Sequence, residues 1–217
     1  MFSKILGWAG LGSTDPNRPQ GGSSSKATEP PVPSKSFPKF VSALANQGES
    51  ATVIDFGPVI GPNVAYFGER LGCKLFIEDL LTELERHRKA GTMHTLADAV
   101  ESRLRQEEST VDGILCWDYF DFLDKVSAQR VARHLVKMLK PGGAIMGFFC
   151  TSGVEHATLT KYEIVNDQSL RLRPHPGAGG KKLALHNREI IKMFDPLVVA
   201  ESFLLKNNSR EILLRKR

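Results

Sequence analysis

The residues best suited to chemistry lie in Asp55-Phe56-Gly57-Pro58-Val59-Ile60-Gly61 and, one apolar run later, at Glu78. An acid closing a buried strand, a glycine-containing turn and a helix start can receive a ligand's charged group on backbone amides. A carboxylate ending the next strand can accept both hydroxyls of a ribose. Taken alone, this pattern fits dinucleotides and sulfonium nucleosides alike. A second acidic set, Asp118 and Asp121, follows the apolar run Gly113–Trp117, and His156, Tyr162 and His175 come later in the chain. Each of these five could serve as a base or a polar contact for an acceptor, and each has an ordinary structural role as its plainer explanation. The six histidines form no ligand-spaced cluster with cysteine, so no metal site is expected. A G-x-x-x-x-G-K-[ST] phosphate loop is absent.

Elements that could position these residues are legible in the hydrophobic pattern. Ala51–Gly57, Cys73–Glu78, Gly113–Trp117 and Ala144–Cys150 are short apolar runs of the kind buried on both faces of a parallel sheet. Between them, helices are expected over Pro62–Leu71, Asp79–Lys89, Leu96–Gln106 and Ser127–Leu139. Ser127 is the expected N-cap of the last of these, and Gly72, Gly91 and Pro141-Gly142-Gly143 are the expected stops. Tyr162–Arg173 reads as a polar hairpin turning at Asn166-Asp167. Asn187–Phe194 reads as a short helix. Val198–Lys206 and Arg210–Arg215 are joined by too short a turn to be parallel. The expected fold class is α/β: a doubly wound, mostly parallel sheet with an antiparallel C-terminal strand.

On these residues the chain resembles the Rossmann-like, class I S-adenosylmethionine-dependent methyltransferases. Their first motif, D-x-G-x-G-x-G, is matched by Asp55, Gly57 and Gly61, with Val59 in place of the middle glycine and Pro58 before it. Val111–Leu123 (VDGILCWDYFDFL) is similar to their fourth-strand motif, and Leu139-Lys140-Pro141-Gly142-Gly143 to the turn before their fifth strand. The resemblance covers Val53–Arg217 and implies a seven-stranded-type sheet, with S-adenosylmethionine held by Asp55, Gly57, Gly61, Glu78 and Asp118. The implied activity is methyl transfer to a small molecule. The departures at Pro58 and Val59, and a third strand that is hard to find, keep open a non-catalytic binding or scaffold protein of the same fold. A nicotinamide-dependent oxidoreductase is a third reading, disfavoured by the lack of G-x-G-x-x-G.

The 217 residues are 41% hydrophobic, which excludes a wholly disordered, fibrous or disulfide-stapled chain. No run is long and apolar enough to suggest a membrane span. Cys73, Cys116 and Cys150 sit in apolar runs and read as buried free thiols, which points to a reducing, cytoplasmic setting. Six of the 12 prolines fall within residues 1–38, expected to be a disordered segment and linker ahead of a domain over 39–217. Its apolar tip, Phe2 to Leu11, could dock to a partner. The net charge of +5 divides into +3 over residues 1–40, −4 over 41–160 and +6 over 161–217. That basic final quarter suggests attraction of an acidic acceptor. It lacks the interleaved aromatics of a nucleic-acid platform.

Overall fold

The computed structural model describes residues 29–47, 50–175 and 179–217; the apolar tip and most of the expected linker lie outside them. In chain order the strands are β1 (Val32–Pro33), β2 (Thr52–Asp55), β3 (Lys74–Ile77), β4 (Val111–Trp117), β5 (Leu139–Cys150), β6 (Val154–Ala157), β7 (Thr160–Asn166), β8 (Ser169–Pro174), β9 (Gly180–Lys182), β10 (Val198–Leu204) and β11 (Ser209–Arg215). The helices are α1 (Phe37–Ala45), α2 (Gly61–Val64), α3 (Leu80–Ala90), α4 (Leu96–Arg103), α5 (Lys125–Met138) and α6 (Asn187–Met193). A π-helical stretch, Ala65–Arg70, prolongs α2.

The main sheet has the order β10-β11-β5-β4-β2-β3. β3, β2, β4 and β5 are parallel, and β11 runs antiparallel to β5 and to β10. Side chains alternate across it, as a pleated strand requires. Val53, Leu115 and Met146 pack with α1 and the π-helical stretch on one face. Ile54, Ile114 and Ile145 pack with α3, α4, α5 and α6 on the other. Burial on both faces is why these strands read as unbroken apolar runs. The expected α/β, doubly wound, mostly parallel architecture with a reversed C-terminal strand is observed.

Four expectations need correction. The sheet has six strands, not seven: between α3 and β4 the chain forms a 3₁₀ turn, Met93–Thr95, and α4. Leu96, Ala97 and Val100 bury a helical face there, leaving no extended segment to add at the β3 edge. The folded part also begins before residue 39. β1 pairs with β8, and the Glu211 carboxylate accepts hydrogen bonds from the Ser34 hydroxyl, the Lys35 amide (3.1 Å) and the Ser36 amide (2.9 Å). The N-cap of α5 is Asp124, whose Oδ1 accepts from the amides of Val126 (2.9 Å) and Ser127 (3.0 Å). Ser127 instead donates its hydroxyl back to Asp124. Finally, the β7–β8 hairpin turns at Asp167-Gln168, because Asn166 pairs with Ser169. With β1 it forms a separate three-stranded sheet.

Candidate functional site

In a doubly wound sheet the ligand crevice lies outside the carboxyl ends of the strands, where neighbouring crossovers run to opposite faces. Here that place is the end of β2, between β3 and β4. Asp55 ends β2 and is 1% exposed. Its Oδ1 accepts from the Gly57 amide (2.8 Å) and from the indole Nε1–H of Trp117 (2.6 Å). Its Oδ2 is buried with no hydrogen-bond partner. Burial pushes the carboxyl up to about 6, against the opposing pull of those two donors and of the Asn63 side chain.

The loop after Asp55 is only partly suited to a ligand. A Cβ on Gly57 would lie 3.1 Å from both Asp55 Oδ1 and Trp117 Nε1, so glycine is what lets the indole approach the carboxylate. Pro58 offers no amide donor, and the Val59 side chain is 73% exposed. Gly61 starts α2 with open space where a Cβ would stand. Glu78 follows β3, its amide bonded to the Asp55 carbonyl (2.9 Å). Its carboxylate is engaged by the Arg103 guanidinium at 3.1 Å. Gly57 and Glu78 are thus each hydrogen-bonded to Asp55 through their amides, and Gly61 starts the helix that follows.

Trp117, which from its sequence position could either shape a pocket or simply pack beside a strand end, sits against Asp55. It ends β4 with φ of 50°, in the left-handed region that costs an L-residue roughly 1–2 kcal/mol. Its indole lies flat against the Tyr162 ring, with centroids 4.8 Å apart and an interplanar angle of 4°. Tyr162 in turn stacks on Phe148 at 5.0 Å and 14°. Three rings from β4, β7 and β5 thus form a continuous stack beside Asp55. The hairpin carrying Tyr162 is fastened by Asn63, unforeseen in this role, whose buried amide donates to the Tyr162 carbonyl (2.9 Å) and accepts from the Ile164 amide (2.8 Å). The only sequence cue was a polar residue, Asn63, just inside a helix start.

Asp118 does not join the Asp55 crevice. It lines a separate cavity of about 340 Å³ together with Asp121, His156, Tyr162 and Lys182. His175, just past β8, is not among that cavity's lining residues. The Lys182 ammonium lies 2.7 Å from Asp118 Oδ2 and 3.4 Å from Asp121 Oδ2. Desolvation raises both carboxyls, Asp121 to about 7, while the lysine opposes the rise.

Part of the basic quarter is paired within the fold. Arg171 and Arg173 both pair with Glu163, and Lys181 pairs with Glu155 at 2.8 Å. All three cysteines are free and buried. Among the described residues no helix is long and apolar enough to cross a membrane, and no cluster of His, Cys, Asp or Glu could hold a metal ion.

The class these observations define is a doubly wound α/β protein with an acid and a glycine turn at its switch point. No protein-family model matches the chain, and no curated protein does. Solved structures are similar in fold. A 1,6-didemethyltoxoflavin-N1-methyltransferase from Burkholderia thailandensis, with bound 1,6-didemethyltoxoflavin and S-adenosylhomocysteine, is 15% identical with a TM-score of 0.46; the match covers 83% of this chain and 78% of that one. An S-adenosylmethionine-dependent methyltransferase from Clostridium acetobutylicum is 13% identical with a TM-score of 0.47, covering 85% and 92%. The CcbJ methyltransferase from Streptomyces caelestis is 10% identical with a TM-score of 0.46, covering 84% and 95%.

Proposed function

We propose that this protein binds S-adenosylmethionine at the carboxyl ends of β2, β3 and β4 and transfers its methyl group to a small molecule. The carrying observation is Asp55: a carboxyl buried at the switch point, with one oxygen left without a donor. An unmet buried acceptor costs about 1–3 kcal/mol, so a ligand ammonium or hydroxyl placed there is favoured. Glu78 supplies the ribose acceptor once Arg103, itself partly exposed, yields it. The bound cofactor would supply an electrophilic methyl group; the chain's part is to hold donor and acceptor in line and to exclude water. On this reading the Trp117 indole covers Asp55, and it must leave Asp55 and Tyr162 for the cofactor to enter.

The same ring stack favours a second reading, a methyltransferase-fold binding protein whose crevice stays shut. Calorimetric titration with S-adenosylhomocysteine separates the two. The first expects binding by the wild type, abolished in Asp55→Ala and Glu78→Ala and tightened in Trp117→Ala, which removes the plug. Absence of binding in both the wild type and Trp117→Ala, at millimolar ligand and with folding verified by circular dichroism, supports the second.

A further inference from the structure

The cavity beside the ring stack is a built polar site that methyl-donor binding leaves unused. Its floor is set by local geometry. Asp118 follows β4, and the 3₁₀ turn Tyr119–Phe122 carries Asp121 three residues on, so both carboxyls face the same side. β9 brings Lys182 between them from 64 residues away. Asp118 and Asp121 are each 1% exposed. Lys182 occupies Asp118 Oδ2, and the Cys150 amide occupies Asp121 Oδ1 at 2.9 Å. Asp118 Oδ1 is buried with no hydrogen-bond partner. Two acids therefore share one lysine; His156 also lines the cavity, and no further Asp, Glu, Lys or Arg does. Phe148, Leu172 and the ring of Tyr162 line the cavity too, with the Tyr162 and Thr160 hydroxyls on the Asp118 side.

We propose that this cavity binds a small primary amine with an aromatic or short aliphatic body, its ammonium seated on Asp118 Oδ1 and its body against Tyr162 and Phe148. An ammonium supplies the donor that Asp118 Oδ1 lacks. In so dry a setting a charge-assisted bond is about twice as strong as a neutral one. The aromatic wall favours a cation and a flat body alike. A volume of about 340 Å³ lies at the low end of the range of small-ligand pockets. An anion would meet two carboxylates, and a metal ion would displace Lys182 to gain only two ligands. The inference stands apart from methyl transfer, because binding is read with no donor present.

The test uses the full chain and three benzyl probes of different charge, benzylamine, benzyl alcohol and phenylacetate, measured by saturation-transfer NMR and calorimetry. Benzylamine should bind, benzyl alcohol about tenfold more weakly or worse (roughly 1.4 kcal/mol), and phenylacetate not at all. Asp118→Asn should erase the preference for the amine over the alcohol. Ser152→Trp, at an exposed position lining the cavity, should abolish binding of both. Equal binding of all three probes, no benzylamine binding at millimolar concentration, or undiminished binding in Ser152→Trp would each overturn the proposal. The Ser152 variant keeps it falsifiable should Asp118→Asn fail to fold.

Discussion

Asp55→Asn should stabilise the protein at neutral pH while weakening any cofactor binding. Burial lifts this carboxyl from 3.8 to about 6, even though the Gly57 amide and the Trp117 indole hold it down. A carboxyl whose pKa is higher folded than unfolded favours the folded state when protonated. Its contribution is fully present below about pH 4 and is lost as the pH rises through about 6. A gap of roughly two pH units, at about 1.4 kcal/mol each, makes that loss about 3 kcal/mol. Asparagine keeps an oxygen for the two donors and carries no charge at any pH, so the loss disappears. Asp118 and Asp121 are raised in the same sense, but they are common to both proteins and cancel in the difference. The assay is urea unfolding of wild type and variant, without ligand, from about pH 4 to about pH 8. The variant's stability relative to wild type should climb by about 3 kcal/mol over that span, most of it between pH 4 and 6. Parallel profiles would refute the reasoning, since they would mean that Asp55 is hydrated or paired in the folded state.

Three further outcomes follow from packing. Gly113→Ala should destabilise by about 1–3 kcal/mol in thermal unfolding, because its Cβ would lie 2.6 Å from Leu44 Cδ2 and 2.7 Å from Phe40 Cζ; an unchanged melting temperature would mean that α1 can shift freely off β4. Glu211→Ala leaves the Ser34, Lys35 and Ser36 donors unmet at about 1–3 kcal/mol for each that stays buried, so hydrogen exchange of α1 amides should accelerate strongly, whereas exchange in α5 should change only through global stability. Cys116 is fully buried and its thiol is pushed well up by desolvation, and Cys150 is pushed to about 12; neither should react with a disulfide reagent at pH about 8 until the protein unfolds, and rapid labelling of either in native protein would contradict the burial described.

What could be read from the sequence was whatever a local pattern determines. Val53-Ile54 and Ile114-Leu115 look alike because each pair sends one side chain to α1's side of the sheet and one to α3's side, and both sides are dry. The β7–β8 hairpin was legible for the same reason, but its sheet was not. Its third strand is Val32–Pro33, inside a proline-rich stretch whose composition reads as linker, and proline at an edge position is compatible with pairing there. The contents of the crevice lay furthest from view. Asp55 ends β2 and Glu78 follows β3, yet the surroundings of Asp55 depend on rings contributed by β4, β7 and β5. Trp117 reads locally as one more apolar residue ending a strand. Only the positive φ there, the hairpin that carries Tyr162 and the Asn63 clamp that holds it turn the indole onto Asp55. A loop motif reports the shape of the backbone that would receive a cofactor; side chains distant in the chain decide whether that backbone is accessible.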